Sequence, residues 1–182
     1  MWNFDKKVKM YKICPKDNKR PVLDNIYFEN GFAYACNGKM AVRNKINEIS
    51  PLKDWEIEKL EGKMINGDIF KDILKNKRIE IFDDKIVGDN DAVYPFCTKG
   101  RYPKIREIFE EAIKAEKLYP SDIVMNPNML SILSESLYLG EYVHMEFRKN
   151  NVHEDYTNVL ISPEFIKSEC LGILIVKMGK EI

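Results

Sequence analysis

The chain has 182 residues, 45% of them hydrophobic and 32% charged, which is apolar material for one medium domain or two small ones. Basic and acidic residues balance at 29 each, so no net field draws it to nucleic acid or an anionic membrane, and any such affinity must come from a local basic face. No apolar run approaches the ~18 residues of a membrane span, and Cys14, Cys36, Cys97 and Cys170 lack metal-binding or disulfide spacing.

The opening MWNFDKKVKM has no signal-peptide core, so reduced thiols in a cytoplasmic protein are expected. Lys6 to Cys14, with Val8, Met10 and Ile13 apolar, reads as a first strand. NIYFENGFAYACNGKMAV then alternates apolar and polar residues, broken at Asn30-Gly31 and Asn37-Gly38, dipeptides that accept the positive φ of tight hairpin turns. Strands over 25–29, 32–36 and 39–46 follow as a meander. NEISPLKDWEIEKLEG is a polar connector with room for a short helical turn. Asn66 or Asp68 can cap the next helix, because a short oxygen-bearing side chain accepts bonds from N–H groups left unpaired there. Ile69, Phe70, Ile73 and Leu74 trace its apolar stripe, and RIEIFDDKIVG is a hairpin turning near Asp83-Asp84.

Gly100 and Pro103 mark the expected boundary between two units, 1–100 and 101–182. A helix over 104–117 is expected to bury Ile105, Ile108, Phe109, Ala112 and Ile113. Asn126 caps another helix and Pro127 opens it, with Met129, Leu130, Leu133 and Leu137 facing inward. EYVHMEFRKN, TNVLISP and LGILIVKM complete the chain as strands. Asn66 answers to Asn126, Ile69 to Met129, Phe70 to Leu130 and Ile73 to Leu133, so a helix-then-strand unit is used twice. The expected fold is α+β, with repeated modules of a helix laid on an antiparallel sheet, each covering the apolar side of the other.

Signals for catalysis are weak. His144 and His153 have neither helical spacing nor an H-E-x-x-H frame. Asp83, Asp84, Asp89 and Asp91 miss the alternation of a calcium loop, and turn chemistry accounts for them. Glu107, Glu110 and Glu111 read as a wet helix face, and neither a nucleophile elbow nor a phosphate-cradling glycine loop occurs. No catalytic residue, metal ligand or cofactor is assigned.

The order of the motifs resembles bacterial sliding clamps, the beta subunits of DNA polymerase III. KDNKRPVLDNIYFENGFAYACNGKMAV is similar to the opening of a clamp domain: Asp17, Arg20, Pro21, Val22 and Leu23 match its D-x-x-R-P-V-L stretch. Ala35, Gly38 and Ala41 keep the frame of its A-T-D-G-H-R-L segment, with Cys36, Asn37, Lys39 and Met40 between them. INGDIFKDILK looks like a clamp helix, KGRYPKIREIF like the segment that ends a clamp domain, and the residues from Met125 to Met178 like its closing module. Departures are a first helix replaced by Lys6–Cys14, a short stretch between Tyr119 and Val124, and Ile175 where the tail carries proline. Clamps of the family have three domains per chain; this resemblance covers about one and a half, a shortened and phage-type form.

The resemblance implies a non-enzymatic processivity factor or docking platform whose helices face DNA. Such helices need lysine and arginine that attract phosphates without reading sequence. Lys71, Lys75, Lys77 and Arg78 meet that need, and Arg20 and Arg43 are expected to add to them. The helix over 127–138 carries Ser131, Ser134, Glu135 and Ser136 and no basic residue. The family's peptide cleft, carried over by position, comprises Gly38, Lys39, Met40, Leu174, Ile175, Val176 and Met178, although GILIVKM is equally a buried last strand. Expected partners are double-stranded DNA, a DNA polymerase or other clamp-binding peptides, and further copies closing a homo-oligomeric ring. A clamp-fold adaptor that never encircles DNA, and more distantly a metal-dependent enzyme using the aspartates, are the alternatives.

Overall fold

The computed structural model describes residues 2–16, 19–120, 122–138, 142–163 and 168–178. The first meander forms as its spacing predicts: β1 (Asn25–Glu29), β2 (Phe32–Cys36) and β3 (Met40–Lys45). Asn30 and Gly31 turn the first hairpin at φ 52° and 76°. The connector after it makes two helices, α1 (Ile46–Ile49) and α2 (Asp54–Leu60), with Glu56 accepting from the Lys53 N–H at 2.9 Å.

Lys6–Cys14 is not a strand. It runs irregularly through one 3-10 turn, Met10–Lys12, and only Trp2 makes a sheet-like bridge, parallel to Arg78. The reason lies in the spacing: Phe4, Val8, Met10 and Ile13 are all buried in one core, and intervals of four, two and three cannot keep them on one side of an alternating strand.

Two units of the same order follow. The first is β4 (Met64–Asn66), α3 (Gly67–Ile73), β5 (Ile79–Ile81), β6 (Lys85–Gly88) and β7 (Val93–Pro95). After α4 (Ile105–Lys114) and the short β8 (Lys117–Leu118), the second is β9 (Ile123–Val124), α5 (Pro127–Ser136), β10 (Val143–Lys149), β11 (Tyr156–Pro163) and β12 (Leu171–Met178). Asn66 Oδ1 accepts from the Asp68 N–H at 3.0 Å and Asn126 Oδ1 from the Asn128 N–H at 2.9 Å, so both helices start on the cap expected of them.

Among the described residues, nine strands share one sheet, ordered β4-β1-β2-β3-β12-β11-β10-β8, with β9 paired to the end of β12. β5, β6 and β7 make a separate three-stranded sheet. Antiparallel pairing of Leu171–Leu174 with Met40–Arg43 carries the large sheet across from the first hundred residues to the rest. Both of its faces are covered. Ile26, Phe28, Ala33, Ala35, Val42, Val159, Leu174 and Val176 face one core, with α3, α5 and the 3-10 turn upon it. Tyr34, Cys36, Ala41, Leu160, Leu171 and Ile173 face another beneath α4. Burial on both sides is why FAYAC of β2 and LGILIV of β12 are apolar runs, where alternation was expected for the first meander. α4 presents Ile105, Phe109 and Ala112 to the sheet, whereas Ile108 and Ile113, expected inside, are 45% and 38% exposed.

Candidate functional site

α3 and α5 lie on the same sheet face with the 3-10 turn packed against both. Lys71 and Lys75 stand exposed on α3; the Lys71 ammonium sits 5.8 Å from the Tyr11 ring centre and Lys75 donates to Asp72 at 2.6 Å. Lys6 reaches the Lys75 carbonyl at 3.5 Å, and Lys16 pairs with Asp68 at 3.1 Å. Glu135 of α5, the acid that made this helix a poor phosphate neighbour, receives Lys9 and Lys12 at 2.7 Å each. Those bonds, with the attraction of the two ammonium groups, hold its carboxyl down at about 2, and the Lys9 ammonium is held above its ordinary value by the same bond. The middle of the helix layer is therefore supplied with cations by Lys9 and Lys12, which sequence reasoning missed. Their partner lies more than a hundred residues away, and no local pattern signals such a pair.

The expected DNA-binding residues are not all brought together. Lys77 and Arg78 leave the end of α3 toward β5, exposed, with the Lys77 N–H donating to Asp89 and Arg78 pairing with Glu80 at 3.1 Å. Arg43 is on the opposite sheet face: its guanidinium carbon lies 5.2 Å from the Phe32 ring centre and 5.5 Å from that of Phe109 on α4, and its Nε donates to the Glu169 carbonyl. Strand alternation puts it there, since its neighbours Val42 and Asn44 point to the helix layer. Arg20 stands beside Gly38, at the second hairpin turn, and does not join α3 either.

On the α4 side, a groove of about 260 Å³ opens between α4, β3, β12 and the turn after β10. Ile105, Ile108, Ala112, Ile173 and Ile175 give it apolar walls, and Lys39, Glu111, Lys149 and Asn151 reach its rim. Gly38, Lys39, Met40 and Ile175 of the expected cleft border this groove. Leu174 and Val176 do not: they are buried in the other core, because successive side chains of a strand point to opposite faces. Met178 belongs to β12 through its pairing with Ile123, and Asp17 lies outside the described residues. The groove's α4 wall, Ile108 above all, was not foreseen; a large aliphatic on the supposed inner stripe of a mixed helix was its one signal. Cys36 lines the floor, where burial raises its thiol pKa and outweighs the opposing bond that Tyr102 donates to its sulfur at 3.8 Å.

The aspartates behave as turn residues. Asp89 accepts from the Lys77 N–H while its own N–H goes to Asn76 Oδ1, and Asp91 takes a φ of 59°. No group of three metal-binding side chains occurs among the described residues, and no described helix is long and apolar enough to cross a membrane.

No known family model matches the chain, and no curated protein sequence matches it. Solved structures do. The beta subunit of DNA polymerase III from Thermotoga maritima superposes with a TM-score of 0.51 at 13% identity, over 97% of this chain and 62% of that one. The beta clamp of Helicobacter pylori bound to a DNA ligase peptide gives 0.55 at 12%, over 96% and 63%. The DNA polymerase III beta chain of Streptococcus pneumoniae gives 0.56 at 10%, over 94% and 62%. This is the sliding-clamp fold. The chain spans less than two thirds of each of these clamps. Within the clamp fold, the 3-10 turn Met10–Lys12 lies beside α3 and α5 where the resemblance lacked a first helix.

Proposed function

We propose that the protein is a sliding-clamp-like docking platform for DNA-processing proteins, of the phage type, that acts without catalysing a reaction. Its helix layer associates with duplex DNA, weakly and without sequence preference, and its groove takes a short apolar peptide from a polymerase or another partner. The observation that carries the reading is that α3 and α5 share one face, with Lys12, Lys71 and Lys75 exposed along it. An apolar groove rimmed by a few polar groups suits a peptide's anchor residues. The Helicobacter pylori clamp to which the chain is similar was solved bound to a DNA ligase peptide.

The test is retention on nicked circular DNA at low salt. Wild type should stay on the circle and come off when it is linearised, and Lys71→Glu with Lys75→Glu should abolish retention. Binding that ignores linearisation would leave a surface-bound adaptor, and the absence of any binding would remove the DNA role. Encirclement also needs a ring of several copies, so light scattering at micromolar concentration should find a closed oligomer. The abundance of carboxylate partners on the helix face, Asp68, Asp72 and Glu135, favours the adaptor as the second reading.

A further inference from the structure

Both tryptophans of the chain stand exposed in one place, away from the helix face and the groove. Trp2 is 40% and Trp55 52% exposed, and Phe82 joins them at 40%. The three rings border a hollow of about 340 Å³ between α2 and β5. Large aromatic rings gathered in one wet patch mark a contact surface.

The hollow also holds uncompensated cations. The Lys53 ammonium lies 5.7 Å from the Trp2 ring centre and that of Lys59 4.9 Å from Trp55, and neither has an ion-pair partner among the described residues. Lys59 is fixed over its indole by a 3.3 Å bond to the Ile81 carbonyl. Glu56, the carboxylate that α2 contributes, is 4% exposed and accepts from the Lys53 backbone. Arg78 closes one side, paired at 3.1 Å with Glu80, which also lines the hollow, so the cations without a partner there are the two lysines.

We infer that this hollow docks single-stranded nucleic acid, with bases stacking on Trp2, Trp55 and Phe82 and phosphates lying along Lys53 and Lys59. Every base offers a flat face to an indole, and the interleaved cations supply the backbone attraction that stacking lacks. A peptide strand added to β5 is the rival occupant. The molecule disfavours it: Ile79 and Ile81, whose peptide groups would pair with that strand, are 1% and 3% exposed, and Lys59 already holds the Ile81 carbonyl.

The experiment is a titration of the whole chain with a thymidine oligonucleotide of about twelve residues at low salt, read by indole fluorescence. Because both indoles border the hollow, the signal is local to it. Saturable quenching that weakens as salt rises is expected. Trp55→Ala should weaken binding ~10-fold, Trp55→Phe should keep most of it, and Lys53→Glu with Lys59→Glu should abolish it. These side chains are on the surface, and thermal melts of each variant confirm that the fold is kept. Absent quenching, quenching indifferent to the lysine reversals, or inorganic polyphosphate binding as tightly as the oligonucleotide would each overturn the inference. So would an indole blue shift with an extended apolar peptide and none with the oligonucleotide. Duplex retention is read separately, through Lys71 and Lys75, so the two proposals fail independently.

Discussion

Replacing Asn44 tests how the helix layer is fixed to the sheet. Asn44 is fully buried on β3, where its Nδ2 donates to the Ser136 carbonyl at 2.9 Å and its Oδ1 accepts from the Tyr138 N–H at 2.8 Å. Both partners lie at the end of α5, where Leu137 is already extended and the helix has no glycine to close it. Asn44 therefore caps α5 from a strand more than ninety residues away. Alanine removes both bonds and leaves a carbonyl and an N–H orphaned against a closed core. Each orphan costs ~1–3 kcal/mol, and allowing for partial relaxation Asn44→Ala should lose ~3 kcal/mol in all. For a chain of this size that is a fall of about 6–12 °C in Tm. Urea unfolding and calorimetry measure it directly. Asn44→Asp should be worse at neutral pH, because it loses the donor and buries a charge, and should recover part of the loss in acid. A loss below ~0.5 kcal/mol for the alanine variant would refute the idea that this side chain closes α5.

The ion pairs of Glu135 give a pH signature: its folded pKa is depressed from 4.5 to about 2, so its contribution is present above the unfolded value and lost as pH falls through the folded one. The Tm gap between wild type and Glu135→Gln should close between pH 4.5 and about 2, and should shrink with salt because these side chains are roughly a third exposed. Gly88→Ala should destabilise by ~1–3 kcal/mol in urea unfolding, since a Cβ there meets Asn76 Oδ1 at 2.3 Å and would displace a side chain that bonds Asp72, Ile73, Tyr94 and Asp89. Asn66→Ala and Asn126→Ala should each cost ~1 kcal/mol by the same measure, matching losses being the mark of equivalent caps. Ile108→Asp should prevent capture of an apolar clamp-binding peptide in fluorescence polarisation while moving stability by less than ~0.5 kcal/mol, because this wall residue is already 45% exposed.

What the sequence disclosed was local chemistry. Asn30-Gly31 turns where it should, and Asn66 and Asn126 cap where they should, because each acts on backbone groups within a few residues. The strand expected over Lys6–Cys14 failed because its apolar residues serve a core assembled from distant elements, and none of them joins a strand ladder. Ile108 and Ile113 failed for a related reason: an amphipathic stripe gives the mean direction of burial, not where the opposing sheet ends and a groove begins. Arg43 shows the cost of reading charge without strand parity. Its place on the α4 face follows once Val42 and Asn44 are known to face the helix layer, and nothing in NGKMAVRNK fixes that parity beforehand.

Parity also settles what the groove can contain. Along β12, Leu171, Ile173 and Ile175 face α4 while Gly172, Leu174 and Val176 face α5, so a peptide cleft made from all of Leu174, Ile175 and Val176 is geometrically excluded. A slip of one residue would exchange the two sets. Gly172 resists that slip. A Cβ at this position would stand 2.8 Å from Leu133 and 3.3 Å from Leu137, both buried, whereas Leu171 and Ile173 on either side carry large side chains that α5 has no space to admit. On the other edge the ladder to β3 is extended by the Ile175 N–H donating to the Lys39 carbonyl at 3.0 Å, beside the turn that forms the groove's near end. The presence of Ile175 in the groove is thus decided on the far side of the sheet, where Leu133 of α5 lies against the one residue of β12 without a side chain.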